Sequence, residues 1–374
     1  MLIGEKNADS NQNKNNIKTF DFIIVGQGLA GSVLALKLIE NNFSVMVIDK
    51  PELSNCSKVA AGIFNPIIFK RLSKSWMADE ILPEMLRFYK EVGKNLNCKL
   101  IIKRNIVKLF SEQQEVDLWH KKANGELKKY LYKEIYTENH SQNIKQSEFG
   151  FSKVTESGNL NVNLFLESTR KYLTEKNSFA NEKFEYTQLI TSEKIIYKEF
   201  VASKIIFAEG YLVKHNPFFN YIPLKPAKGE ILTIESNDLK IETDIINKNG
   251  FIFSDKENQF KTGATYNWED LNDNTSQNGL IELQEKLKKI TVADYKIKSH
   301  NAGVRPSVID RRPVLGKHPQ YNNLFVFNGM GTKGVMLAPY FAEQLLNYIS
   351  KNSELNAEVN VERFRKYLAT NYTN

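Results

Sequence analysis

The chain has 374 residues, 41% hydrophobic and 25% charged, which allows a sizeable packed interior and excludes a wholly disordered protein. Lys and Arg outnumber Asp and Glu by 51 to 43, a net charge of +8, a balance that suits an anionic substrate. The basic residues are spread out and form no arm or stripe, so nucleic-acid binding is not expected from charge alone.

Two cysteines, Cys56 and Cys98, cannot build a disulfide framework, and the five histidines lack metal-ligand spacing. No apolar run is long enough to span a bilayer, and the start lacks the apolar core of a signal peptide. These features predict a cytoplasmic protein without a metal centre. Met1 to Thr19, rich in Asn and Lys, reads as a disordered tail.

"FDFIIVGQGLAGSVLALKLIENNFSVMVIDK", Phe20 to Lys50, carries every part of a dinucleotide-binding βαβ unit. Phe20 to Val25 is the nearly unbroken apolar run of a buried parallel strand. Gly26 permits the tight turn, Gly28 lets a pyrophosphate approach the backbone, and Gly31 lets the helix pack on the strand. A helix apolar enough to be covered on both sides follows and ends at Asn41 and Asn42. Ser44 to Ile48 is the second strand, with Asp49 at its end where an acid hydrogen-bonds a ribose hydroxyl.

"NCSKVAAGIFNP" comes next, then the basic "FKRLSKSW", with Lys70, Arg71, Lys74 and Trp76, and the helix "MADEILPEMLRFYKEV". The basic stretch reads as a solvated turn. "VKLF", "EILTI" and "FIFS" read as strands, "ASKIIFAEG" as an apolar strand ending in glycine, and "LIELQEKLKKI" as an amphipathic helix. "PLKPAKGEIL", "KTGATYNWED" and "AGVRPSVIDRRPVLG" precede a second glycine motif.

That motif, "NGMGTKGVMLAP", follows the strand-like "LFVFN" and puts Gly329, Gly331 and Gly334 at G-x-G-x-x-G spacing before a helix. No second buried strand with a terminal acid follows, so an independent nucleotide fold is disfavoured. The turn either presents a helix N-terminus to an anion or packs a helix tightly on a strand; glycine serves both.

In order and spacing, these motifs resemble the D-amino-acid oxidase family of FAD-dependent oxidoreductases, over nearly everything from Phe20 to Phe364. The most specific part is G-x-R-P, then D-x-x-P-x-x-G, then the glycine turn followed by "LAP". The resemblance implies an α/β fold: a Rossmann-like FAD-binding domain from 20–90, 151–211 and 300–374, and a largely antiparallel α+β substrate domain from 91–150 and 212–299. It implies one FAD touched from both ends of the chain. Gly26, Gly28, Leu29, Ala30 and Gly31 would hold the pyrophosphate, and Asp49 with Lys50 the adenosine side. Ser57, Lys58, Ala60, Ala61, Gly62, Ala208, Glu209, Gly210 and Gly303 would line the cofactor. Gly329, Gly331, Thr332, Lys333 and Gly334 would lie by the flavin ring. With no cysteine near that turn and no histidine in "SKVAAG", FAD is expected to be non-covalent.

The chemistry implied is oxidation of a small amino acid or secondary amine by hydride transfer to flavin, with no catalytic side chain assigned beyond the flavin. Dioxygen or another acceptor is implied over NADPH, for which no second nucleotide unit is seen. Arg305 would pair with a substrate carboxylate; its structural alternative is to brace the next turn against Asp310. Tyr266, Ile63 and Asn65 would face substrate or flavin, or pack as wall. Glycine oxidases carry a second arginine where this chain has Thr332, a departure that bears on glycine specificity; Lys333 next to it would replace that charge or approach the flavin.

Two other readings stay open. The "NP" and the basic "FKRLSKSW" resemble the oxidase domain of the bifunctional enzyme that processes carboxymethylaminomethyl-uridine in tRNA, though its methyltransferase half and any RNA-binding module are missing. A non-catalytic flavin-binding subunit is the other.

Overall fold

The computed structural model describes residues 17–50 and 56–368. Most of the expected tail, and Asn55, lie outside them. Lys18 and Thr19 are not tail: they open the strand Lys18–Val25 and pair in parallel with Phe200 and Val201, because the backbone of Phe200–Phe207 offers ladder partners beyond the apolar run.

Lys18–Val25 lies between Val45–Asp49 and Phe200–Phe207, all parallel. Phe179–Asn181 extends the sheet on one side and Leu324–Asn328 on the other. Alternate side chains of the first strand enter two cores: Phe22 and Ile24 meet Val33, Leu34 and Leu38 of the helix Leu29–Glu40, while Ile23 and Val25 meet Ile205 and Phe207. Burial on both faces explains why the strand reads as a continuous apolar run. The chain leaves the first strand toward one neighbour and later adds the other, so the first glycine turn sits at a topological switch point, where open α/β sheets form a crevice.

Lys37 is buried in that helix, only 2% exposed. It pairs with Glu84 and Glu343, each at 2.8 Å, and so ties the helix to Ala78–Asn95 and Gly334–Lys351.

A second sheet has the order Lys296–Arg305, Ala227–Glu235, Gln259–Gly263, Phe251–Lys256, Ile245–Asn247, Ile106–Leu109, Phe151–Val154. It is antiparallel except where Ile245–Asn247 meets Ile106–Leu109. Leu283 and Leu287 of the helix Gln277–Lys288 pack on its Leu232 and Ile234. Two expected boundaries therefore move. Phe151–Val154 pairs with Ile106–Leu109, and residues 300–305 continue a strand paired with Ala227–Glu235, so both stretches belong to the second sheet. A small sheet of Ile63–Phe64, Gly158–Leu160 and Ile101–Lys103 joins the two regions. The fold is α/β, a Rossmann-like sheet beside a largely antiparallel one. No helix among the described residues is long and apolar enough to cross a membrane.

Candidate functional site

A cavity of about 480 Å³ runs from the first glycine turn to Tyr266 and Arg305. Its first wall is the crossing of strand and helix. Gly26 has φ +101°, and a Cβ there would come within 2.6 Å of the Ala208 carbonyl oxygen. A Cβ on Gly31 would stand 1.9 Å from the Gly26 oxygen, so helix and strand meet only because both residues are glycine. The helix N-terminus at Gly28 has no side-chain cap and no acid in its first turn; Ser57 Oγ accepts the Leu29 N–H at 3.1 Å. Open donors at the positive end of the helix dipole form a cradle for an anion, and it fits a pyrophosphate. Asp49 lies on the wall at the end of its strand.

The second glycine turn meets the same cavity. The helix Gly334–Lys351 also starts without a side-chain cap or first-turn acid. Buried Asn328 joins the two sheet-end turns: its Nδ2 donates to the Gly210 carbonyl at 3.0 Å, and its Oδ1 accepts the Gly329 N–H at 2.7 Å.

Of the residues singled out from sequence, Gly26, Gly28, Leu29, Ala30, Asp49, Lys50, Ser57, Ala60, Ala61, Gly62, Ile63, Ala208, Glu209, Gly210, Tyr266, Gly303, Arg305, Gly331, Thr332 and Gly334 line the cavity. Gly31, Lys58, Asn65, Gly329 and Lys333 do not, and four of these have another visible task. Gly31 is spent on the helix crossing. Asn65 Oδ1 accepts the Ile67 N–H at 2.8 Å and braces the hairpin of Ile67–Ile68 and Ser73–Lys74. Gly329 lets the chain pass Val308 and Val314. Lys333 turns from the cavity and donates from Nζ to Ser75 Oγ, and burial lowers its ammonium to about 8.

Arg305 ends the strand Lys296–Arg305 and lies across Gly229 of the neighbouring strand, where a Cβ would sit 1.9 Å from its Nη2. Its guanidinium donates to the Thr265 carbonyl at 3.3 Å and lies 5.0 Å from the Tyr266 ring centre. Burial lowers its pKa, yet no carboxylate among the described residues pairs with it. The alternative of bracing against Asp310 is excluded by geometry: Asp310 pairs with Arg363 at 2.8 Å. Arg305 thus presents planar, weakly satisfied donors beside a cavity, the arrangement that receives a carboxylate in two hydrogen bonds.

Sequence reading missed Cys56, Lys228 and the partners of Glu209, whose place on the wall it did expect. Cys56 lines the cavity, and burial pushes its thiol up to about 11, so the reactive thiolate is scarce. Glu209 faces the cavity within a polar cluster: Tyr186 O–H donates to one carboxylate oxygen and Asn216 Nδ2 to the other, the latter at 2.7 Å. Burial raises the Glu209 carboxyl to about 7. Lys228, 1% exposed, reaches from the strand Ala227–Glu235 to Asp270 at 2.6 Å and holds the segment after Tyr266. These residues lie far apart in sequence and follow no periodicity, so no local pattern marks them.

Comparison with known proteins bears on the whole arrangement. The family model described as "FAD dependent oxidoreductase" matches residues 21–347. Glycine oxidase of Bacillus subtilis is 21% identical over 370 residues, covering 91% of this chain and 95% of that protein. The tRNA 5-methylaminomethyl-2-thiouridine biosynthesis bifunctional protein MnmC of Legionella pneumophila (strain Philadelphia 1) is 23% identical over 384 residues, covering 88% of this chain but 54% of that protein. Among solved structures, L-proline dehydrogenase from P. horikoshii superposes with a TM-score of 0.76 at 13% identity, covering 95% of this chain and 99% of the other.

Proposed function

The chain belongs to the family of FAD-dependent oxidoreductases, and from that premise we propose that it oxidises the carbon–nitrogen bond of a small amino acid or secondary amine whose carboxylate is held by Arg305. The observation that carries this reading is the lack of any carboxylate partner for Arg305 among the described residues, on the wall that also carries both glycine turns. FAD, held by the first glycine cradle and the second glycine turn, would supply a hydride acceptor; a substrate that gave up a hydride from the carbon beside its nitrogen and the N–H proton would become an imine, which water would hydrolyse to a carbonyl compound and ammonia or an amine.

The chain's own residues bind and orient. The cradle at Gly26, Gly28, Leu29 and Ala30 receives the pyrophosphate, Asp49 the ribose, and the turn at Gly331 to Gly334 stabilises negative charge near the flavin. Arg305 fixes the carboxylate and so the distance of the reacting carbon from the cofactor. We assign no general base. We infer that FAD is held without a covalent bond, since no cysteine lies in the second glycine turn and no histidine in "SKVAAG". Dioxygen or another acceptor would take up the electrons.

Product analysis tests this. Air-oxidised reactions with sarcosine, glycine, proline and D-amino acids should yield the carbonyl compound and amine expected for cleavage at the carbon bearing the carboxylate, such as glyoxylate and methylamine from sarcosine. Formaldehyde and glycine instead would mean that the N-methyl carbon reacts; no carbonyl product from any of these substrates would overturn the reading.

A second reading, oxidation of a carboxymethylaminomethyl group on tRNA uridine, is supported by the similarity to the tRNA-modifying relative and by the exposed side chains of Lys70, Arg71 and Lys74. Neutralising these three should weaken tRNA binding and flatten its salt dependence if that reading holds. Binding that is unchanged removes it.

A further inference from the structure

The geometry points to an aromatic subsite outside Arg305, formed by Tyr266 and Trp268, that selects an amino acid carrying a flat apolar substituent over glycine or sarcosine. This rests on the reading of Arg305 as the carboxylate anchor. Arg305 is partly buried, Tyr266 beside it is 41% exposed, and Trp268 beyond is 54% exposed. The two rings touch, with centres 4.8 Å apart. A single exposed apolar side chain is ordinary, but two adjoining aromatic rings, Tyr266 on the cavity wall and Trp268 packed against it from outside, form a surface that water covers poorly.

The rings are not carried on a loose loop. Asn267 and Lys228 exchange backbone hydrogen bonds of 2.8 and 3.0 Å. The buried Lys228 ammonium bonds Asp270 at 2.6 Å and Asn272 at 3.2 Å, and Asn267 Oδ1 accepts the N–H groups of Glu269 and Asp270. The segment between the two aromatic residues is thus tied down on both sides. Preordered rings lose little entropy when a ligand covers them, which is the condition for a useful contact.

Geometry also sets the shape of the ligand. A carboxylate on Arg305 leaves the rest of the molecule to run past Tyr266 toward Trp268. Glycine and sarcosine end before the second ring, whereas an aryl group on the nitrogen or on the side chain reaches it. Exposed Glu269 and Asp273 on the same segment oppose a polyanion along this rim, which favours a small aryl-bearing amino acid over a phosphate-rich one.

The test uses the FAD-loaded protein, anaerobically, with sarcosine, N-benzylglycine and D- and L-phenylalanine; flavin absorbance is followed against substrate concentration. An aryl substrate should half-saturate at a concentration about ten-fold below that of sarcosine, as expected for covering one ring. In Trp268→Ala this ratio should fall toward one, and Trp268→Phe should restore most of it. Comparing phenylalanine with N-benzylglycine tells a side-chain arm from a nitrogen arm. An unchanged ratio in Trp268→Ala overturns the subsite.

If none of these amines bleaches the flavin, oxidation of a small amino acid is refuted, and the subsite is judged by binding alone. Then 3-phenylpropanoate should perturb the flavin spectrum at lower concentration than propanoate, and Trp268→Ala should erase that preference. Equal binding of the two acids would overturn the subsite independently.

Discussion

At the scale of single residues, burial governs the charge of Glu209 and of Lys333. Glu209 titrates near 7 in the folded protein, above the ordinary 4.5, because burial disfavours its carboxylate. The folded state therefore holds a proton that the unfolded state releases between those two values. The stability contributed is fully present below about 4.5 and is lost as pH rises through about 7. Chemical denaturation across that range should show this slope in the wild type, and Glu209→Gln, which keeps an oxygen to accept from Tyr186, should flatten it; an equal slope in both would assign it to other groups. Lys333 is the opposite case, an ammonium that burial has weakened, held behind the second glycine turn without a carboxylate among the described residues. Its remaining charge favours added negative charge near the turn, so Lys333→Met should lower the reduction potential of bound FAD by about 30 mV, which for two electrons is about 1.4 kcal/mol. A potentiometric titration with no shift would show that the charge is screened from the flavin.

At the scale of elements, the glycines of the first turn do different work, and the difference is measurable. Gly31→Ala drives a methyl into the Gly26 carbonyl at 1.9 Å and should destabilise even the cofactor-free protein by about 1–3 kcal/mol. Gly28→Ala meets only Ser57 Oγ at 3.3 Å, so it should leave the melting temperature nearly intact while weakening FAD retention. Calorimetry and flavin content read the two effects separately; equal melting losses would contradict the assignment. The segment after Tyr266 depends on Lys228 instead. Lys228→Met should speed hydrogen exchange at Asn267 by about ten-fold, the effect of about 1.4 kcal/mol of lost anchoring. Local signals made much of this legible. The βαβ unit, the strand Leu324–Asn328 and the helix Gly334–Lys351 all announce themselves through an apolar run or a period of 3.6, broken by glycine. Lys37, Lys228 and the partners of Glu209 were not legible, because a buried charge is specified by carboxylates or amides that reach it from distant elements.

At the scale of the whole molecule, two sheets share one cavity. The parallel sheet supplies both glycine turns, and the antiparallel sheet supplies Arg305 and Tyr266. Motif order was enough to bring both glycine turns to one cavity, since each motif carries its own strand and helix. It was not enough to assign Phe151–Val154 or residues 300–305 to a sheet, because apolar alternation does not say which partner a strand takes. That assignment matters for function: Arg305 reaches the cavity as the end of an antiparallel strand lying across Gly229. We propose that this arginine anchors the carboxylate of an amine beside FAD. The most direct test is anaerobic mixing of FAD-loaded wild type and Arg305→Met with the best amino-acid substrate, following flavin bleaching against concentration. The account predicts bleaching in the wild type and a half-saturating concentration raised by about a hundred-fold or more in the variant, the loss expected for a charge-assisted pair. Bleaching of both proteins at equal concentrations would contradict it.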